Sequence, residues 1–307
     1  MLQGRVALEA HGLRKAYGPK LAVRELSLSV PRGEVFGFLG PNGAGKTTSM
    51  KMLLGLVRPS SGKGQLLGHP LGDPRGRVRV GYLPEHFAFH EWLKASELLR
   101  FHARLLGLPS RGLAAQVEER LARVGLADAG RRRVNEYSKG MKQRLGLAQA
   151  LLGTPDLVFL DEPTSGLDPL GRRLVRDVIG ELRARGTTVF LNSHLLSEVE
   201  VMCDRVAFVK DGRVVRDMRL GTKELDLAVE MRLERIPTGL ASGLAAFGHD
   251  VRVDGDQVRM RVSSDARLPE MTRWLAAEGV GFYHFAARRP SLEEIFLEVI
   301  GDAPIVG

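Results

Sequence analysis

The chain has 307 residues, 44% of them hydrophobic and 26% charged, and its 45 basic and 36 acidic side chains leave a net charge of +9. That balance can bury a core and excludes a disordered chain; the single cysteine, Cys203, excludes an internal disulfide framework and suits a reducing compartment. Met1 to Ala10 carry no apolar leader-type run and no stretch reaches about 18 uninterrupted apolar residues, so neither a signal peptide nor a membrane span is expected.

Over the first 220 residues or so, short apolar runs alternate with longer helical patterns, which predicts an α/β domain on a mostly parallel sheet. Strands are expected at Glu34–Leu39, Val78–Leu83, Leu157–Asp161 and Thr188–Asn192. A hairpin is expected over Arg205–Val215, turning at Asp211-Gly212. Helical patterns cover Thr48–Leu56, Gln116–Val124 and Gly171–Arg185, the last with Leu174, Val175, Val178, Ile179 and Leu182 on one face. Nothing between Glu85 and Tyr137 reads as a strand, so a helical insertion is expected over about residues 86–150.

From about Gly221 the texture changes. Val229, Met231 and Leu233 alternate with charged residues, and Val251, Val253, Val258, Met260 and Val262 alternate around Asp254-Gly255. With helical patterns at Thr238–Phe247 and Leu268–Glu278 and an extended run at Gly281–Ala287, the order is strand, helix, strand, strand, helix, strand. That order predicts a small α+β, ferredoxin-like domain over 221–307. A last helix opens at Ser291, with Glu294 completing a capping box.

The sharpest local signal is Gly40-Pro41-Asn42-Gly43-Ala44-Gly45-Lys46-Thr47-Thr48, between a predicted strand and a predicted helix. Gly40, Asn42, Gly43 and Gly45 let successive backbone N–H groups turn toward phosphate oxygens. Lys46 adds a point charge, Thr47 offers a hydroxyl to Mg²⁺, and Thr48 stands in the helix N-terminus whose dipole favours anions. This is a nucleoside-triphosphate loop. Asp161 and Glu162 end the apolar run Leu157–Leu160, on the sheet edge where doubly wound folds bind ligands. Asp161 suits the Mg²⁺ shell and Glu162 a general base for water; standing alone, the pair would also read as exposed turn carboxylates.

Two further segments identify a family. Tyr137-Ser138-Lys139-Gly140-Met141-Lys142-Gln143-Arg144 resembles the signature motif of ATP-binding-cassette (ABC) ATPases, and Asp161-Glu162-Pro163-Thr164-Ser165-Gly166-Leu167-Asp168 resembles their Walker B and D-loop. Asn192-Ser193-His194 stands where that family keeps its switch histidine. The resemblance implies a P-loop cassette that binds ATP and Mg²⁺ and works as a head-to-tail homodimer. In it Ser138 and Gly140 contact a γ-phosphate held by the opposite protomer, and Asp168 reaches the partner's phosphate loop. It implies that His194 aligns the water held by Glu162, and that Tyr17 stacks on adenine. Without the other motifs, Tyr17 would read as a core or hairpin tyrosine and His194 as a strand-end histidine. Glu85 stands where the family's usual residue is glutamine; it can supply oxygen to Mg²⁺ or mark the transporter-facing joint.

Tyr-Ser-Lys-Gly-Met, Tyr-Leu-Pro-Glu and the closing Arg289-Pro290-Ser291-Leu292-Glu293-Glu294-Ile295-Phe296 resemble the exporter branch, which handles drugs, lipids, polysaccharides and haem or copper maturation. The implied function is ATP hydrolysis on the cytoplasmic face of the membrane, driving separate membrane-spanning permease subunits. The alternative is a soluble cassette ATPase acting on ribosomes or nucleic acid. Against it, one cassette is present, no long coiled coil divides its motifs, and the arginine clusters at Arg75–Arg79, Arg131–Arg133 and Arg172–Arg176 lack interleaved aromatics. Those clusters read as solvated surface, and no nucleic-acid partner is expected. The second domain reads as a dimerisation or packing module, or as a small-molecule sensor; no polar constellation there marks a pocket.

Overall fold

The structure, a computed structural model, describes residues 6–221 and 226–301. Part of the leader reading (Met1–Arg5), part of the expected domain boundary (222–225) and the end of the expected second domain (302–307) lie outside the described residues. Two compact units are present: Met1–Leu220 with Val299–Gly307, and Gly221–Glu298.

The first unit opens with strands β1 (Val6–Tyr17) and β2 (Lys20–Pro31), followed by β3 (Val35–Leu39), helix α1 (Lys46–Leu53), β4 (Ser61–Leu66), β5 (His69–Pro70), α2 (Pro74–Arg77) and β6 (Val80–Leu83). Helices α3 (Ala95–Leu105), α4 (Leu113–Arg123) and α5 (Lys139–Ala150) form the helical insertion. The chain then returns through β7 (Leu157–Asp161), α6 (Pro169–Ala184), β8 (Thr188–Asn192), α7 (Leu196–Met202) and the hairpin β9 (Arg205–Lys210) and β10 (Arg213–Arg219). The sheet runs β5-β4-β1-β2-β10-β9-β3-β8-β7-β6. From β9 to β6 all pairings are parallel; the strands beyond join mostly antiparallel.

β3, β7 and β8 are buried along their whole length, which is why each reads as an unbroken apolar run rather than an alternating one. Phe190 on β8 is their hub. Its ring lies 5.5 Å from that of Phe36, 5.3 Å from Phe38 and 5.1 Å from Phe159. These tilted pairs add aromatic contact to the area buried. Helix α6 covers the sheet with Val175, Val178, Ile179 and Leu182, four of the five residues expected on its apolar face; Leu174 is only half-buried.

Several expectations need correction. The β1–β2 hairpin was not predicted. Its alternation is broken where register shifts occur around Gly12 and Leu13, and charged residues occupy its open face. The strand expected from Val78 begins at Val80, because Asp73 caps a turn of helix at Pro74–Arg77, accepting from the Arg75 N–H at 2.9 Å. The helix expected at Thr48–Leu56 spans Lys46–Leu53 instead. The arginine clusters lie largely at the surface as expected, and members of all three also carry ion pairs there. Arg79 pairs with Asp156 at 2.8 Å, Arg132 with Glu136 at 3.3 Å and Arg176 with Glu198 at 3.3 Å.

The second unit contains β11 (Leu227–Leu233), α8 (Leu240–Leu244), β12 (His249–Asp254), β13 (Gln257–Val262), α9 (Arg267–Ala277) and β14 (Phe282–Arg288); α10 (Leu292–Ile300) begins within it. The sheet order β12-β13-β11-β14 is that of the split βαβ arrangement. Val229, Met231, Leu233, Val258, Met260 and Val262 form its core with Leu244, Met271 and Leu275. Ser291 and Glu294 make the expected capping box, the Glu294 N–H donating to Ser291 Oγ at 3.3 Å and the Ser291 N–H to Glu294 Oε2 at 2.9 Å. A polar constellation invisible in the sequence faces the other way. Arg259, Arg261 and Arg288 meet Glu230, Glu298 and Glu294 around a cavity of about 360 Å³.

Phe190→Ala leaves an aromatic-sized void between three strands and should cost about 3–5 kcal/mol of stability. Chemical denaturation reads this directly; an unchanged midpoint would show that Phe190 is not the hub.

Candidate functional site

The loop between β3 and α1 is shaped by close backbone approach. Gly45 has φ +91°, and a Cβ there would stand 2.4 Å from the Ala22 carbonyl oxygen on β2; a Cβ on Gly40 would stand 2.3 Å from the Val209 carbonyl oxygen on β9. The Asp211-Gly212 turn supports the same loop, its Gly212 N–H donating to the Ala44 carbonyl at 3.0 Å. Squeezed between two strands, the loop delivers Lys46 in the first turn of α1. The Lys46 ammonium donates to the Gly40 and Pro41 carbonyls at 2.6 and 3.0 Å, folding back over its own loop. Burial lowers its pKa, and the carboxylates of Glu162, Asp161 and Glu85 oppose that shift.

Asn42, Gly43, Gly45, Lys46, Thr47, Thr48, Glu85, Glu162 and His194 all line one cleft of about 600 Å³. Lys20, Leu21, Ala22 and Asn192 complete it. Sequence reasoning missed these four, because the first three lie on the unpredicted β2. The cleft's chemistry sits at the ends of β7 and β8. Asp161 is 1% exposed and accepts from the Asn192 Nδ2 amide at 2.5 Å. Glu162 follows with φ +52°, a left-handed conformation that non-glycine residues seldom adopt. Its Oε2 lies 2.7 Å from His194 Nδ1. Burial pushes both carboxyl groups above their ordinary range, against the Asn192 hydrogen bond for Asp161 and the His194 contact for Glu162.

Gln143 is a further residue of this site that the motif reading quoted without assigning a role. It is 5% exposed, and its Nε2 donates to the Glu162 carbonyl at 3.0 Å. No sequence signal marked it: its burial, and with it the need of its amide for partners, appears only in the fold.

Of the predicted site residues, Gly40, Asp161, Ser138, Gly140, Asp168 and Tyr17 are not among those lining this cleft. Ser138 caps α5, accepting from the Met141 N–H at 3.2 Å, and Asp168 caps α6, accepting from the Gly171 N–H at 2.7 Å. A Cβ on Gly140 would stand 3.3 Å from Leu167, so the signature loop packs on the segment that leads to Asp168. Tyr17 ends β1, half-exposed, with Lys15 Nζ 4.9 Å from its ring centroid. It is therefore not a core tyrosine.

Thr47, Asp161 and Glu85 offer hydroxyl and carboxylate oxygens, the donor chemistry Mg²⁺ takes. Among the described residues no group of three or more His, Cys, Asp or Glu side chains could hold a metal by itself.

A glycine loop between a buried strand and a helix, with carboxylates at the neighbouring strand ends, defines a nucleoside-triphosphate-binding α/β domain. A family model described as ABC transporter matches residues 23–165. The daunorubicin resistance ATP-binding protein of Streptomyces coeruleorubidus is 38% identical over 309 residues, covering 96% of each chain. An uncharacterized ABC transporter ATP-binding protein of Nostoc sp. is 52% identical over 197 residues, 64% of this chain; the chain spans 59% of that relative's length. A solved structure of the ATP binding subunit of an ABC transporter superposes with a TM-score of 0.65 at 31% identity, covering 70% of this chain and 90% of that one. The chain belongs to the ATP-binding proteins of the ABC transporter family, and its cassette binds ATP.

Gly45→Ala would force a methyl group against the Ala22 carbonyl and strain a left-handed backbone. ATP affinity, measured by titration with a fluorescent analogue, should fall at least about tenfold, a loss of about 1.4 kcal/mol. Wild-type affinity would mean that the loop does not cradle phosphates.

Proposed function

We propose that the chain is the ATP-hydrolysing, energy-coupling subunit of a membrane exporter. Two copies close head to tail on two ATP molecules, and their closing and reopening drive separate membrane-spanning permease subunits from the cytoplasmic face of the membrane. The observation that carries this reading is the Glu162–His194 pair, 2.7 Å apart at the wall of the cleft lined by the Lys46 loop.

Each residue of the site takes a role in this reading. The backbone N–H groups of Gly43 to Thr48 and the Lys46 ammonium neutralise the phosphates of ATP. Thr47 and Asp161 would hold Mg²⁺, with Glu85 as a further oxygen donor; bound there, the ion would neutralise charge on the phosphate oxygens. Glu162 accepts the proton of the attacking water, and His194 orients Glu162 and donates toward the γ-phosphate with its second nitrogen. Ser138 and Gly140, outside the chain's own cleft, serve the nucleotide of the opposite protomer through the N-terminus of α5. Asp168 extends from the same surface toward the partner's loop, and Tyr17, exposed beside the cleft strand, stacks on the adenine ring.

The permease contact belongs on the insertion. Beyond Glu85 the surface carries Trp92 at 69%, Phe101 at 42% and Leu105 at 68% exposure, with the His90 ring 4.9 Å from Trp92 and 5.9 Å from Phe101. Exposed aromatics gathered this way mark a contact surface. Among the described residues no helix is long and apolar enough to cross a membrane, which is consistent with a transport path made by other subunits. The full-length Streptomyces relative, named for daunorubicin resistance, supports export of a drug-like compound.

Glu162→Gln should retain ATP binding, lose about two to three orders of magnitude in hydrolysis rate, and accumulate an ATP-dependent dimer on size exclusion. An unchanged rate would remove Glu162 as the base. Trp92→Glu combined with Phe101→Glu should leave basal ATPase activity within about twofold while abolishing co-purification with the permease; retained co-purification would move the contact elsewhere.

A further inference from the structure

Glu162 is the one residue at the end of β7 that is both chemically central and conformationally costly. Its φ of +52° places it in the left-handed region, where a side chain with a Cβ costs free energy that surrounding contacts must offset. Three hydrogen bonds hold its backbone. The Glu162 N–H donates to the Asn192 carbonyl at 2.8 Å, tying it to β8. Its own carbonyl accepts twice, from the Ser165 N–H at 3.1 Å and from Gln143 Nε2 at 3.0 Å. The first two belong to the local sheet and turn. The third is different in kind, because Gln143 sits on α5, five residues after Ser138 and three after Gly140 in the same helical segment.

Under the reading above, one chain serves two different nucleotides. Ser138 and Gly140 face the nucleotide held by the partner, while Glu162 acts on the nucleotide in its own cleft. A rigid helix with its N-terminus at one site and a buried side-chain bond to the base of the other is a physical link between them. We propose that Gln143 is a positioning residue that couples the two sites, holding the Glu162 backbone so that docking of α5 on the partner's nucleotide sets this chain's base in its working geometry. The packing of Gly140 against Leu167 carries the same helix onto the segment that follows Glu162, so the two move as a unit.

With Gln143 removed, the Glu162 carbonyl keeps its bond from Ser165 and is not left without a partner. Gln143→Met keeps the length and bulk of the side chain and removes its amide, and with it the donor to Glu162. In the full-length protein this variant should show kcat reduced about tenfold or more, KM for ATP within about twofold, and a Hill coefficient for ATP hydrolysis shifted from above one in the wild type toward one. Thermal midpoint and ATP-dependent dimerisation, measured in the Glu162→Gln background, should match the parent. A wild-type kcat and Hill coefficient in Gln143→Met would overturn the proposal. So would parallel loss of activity, dimerisation and thermal midpoint, the pattern of a structural residue. The dependence on the dimer reading is separable. If the wild type itself hydrolyses ATP with a Hill coefficient of one and forms no dimer in the Glu162→Gln background, the two-copy reading fails first and the coupling fails with it. A cooperative wild type with an unaffected Gln143→Met variant sinks the coupling alone.

Discussion

The structure depends on how closely backbone can approach backbone around the loop at residues 40–46. Two carbonyl oxygens, of Ala22 and Val209, lie within 2.4 Å of where a side chain would begin on Gly45 and Gly40. Only glycine satisfies both, and the loop is thereby clamped between β2 on one side and β9 on the other. β3, which carries the loop, pairs directly with β9, and Phe190 on β8 packs against the phenylalanines of β3 and β7. A loop held this way has little backbone freedom left to lose when a ligand binds. The same strand ends carry Asp161, Glu162 and, just beyond β8, His194, so the chemistry and the cradle share one frame.

The parts of this arrangement that could be read from the sequence are those whose cause is local. β7 and β8 match their predicted bounds because full burial demands an unbroken apolar run. The Asp211-Gly212 turn was legible because few dipeptides reverse a chain so tightly, and both residues have positive φ. The β1–β2 hairpin was not legible. Its inward residues are spaced irregularly by the bulge near Gly12, and its charged outer face resembles loop. Missing it also hid Lys20, Leu21 and Ala22 from the cleft. Helix α1 begins two residues before the expected Thr48 because the glycine at 45, rather than hydrophobic periodicity, sets its start.

Side-chain roles divided the same way. The phosphate loop, Glu85, Glu162 and His194 converge on one cleft as their motifs suggested. Ser138 and Asp168 each serve as a helix cap in the isolated chain, a role that residue type alone favours and that motif reading did not assign. Gln143 was invisible as a functional residue, since its partner is a backbone carbonyl nineteen positions away and no pattern of residue types reports such a contact. The small second unit shows the converse. Its βαββαβ order was legible from alternation, while the arginine–carboxylate face around Arg259, Arg261 and Arg288 exists only once three strands and a helix are assembled.

Ser138 and Gly140 lie outside the cleft of their own chain, and the central claim is that a second copy brings them to it. The buried Cys203 leaves a quiet background for cross-linking. In a chain carrying Ser138→Cys and Asn42→Cys together, mild oxidation should form disulfide-linked dimers with ATP present and hydrolysis blocked, and few without it, because a disulfide requires Cα atoms within about 7 Å. A cross-linked dimer that depends on ATP is the expected result. Monomer throughout, or a cross-link formed equally with and without ATP, would contradict the head-to-tail arrangement.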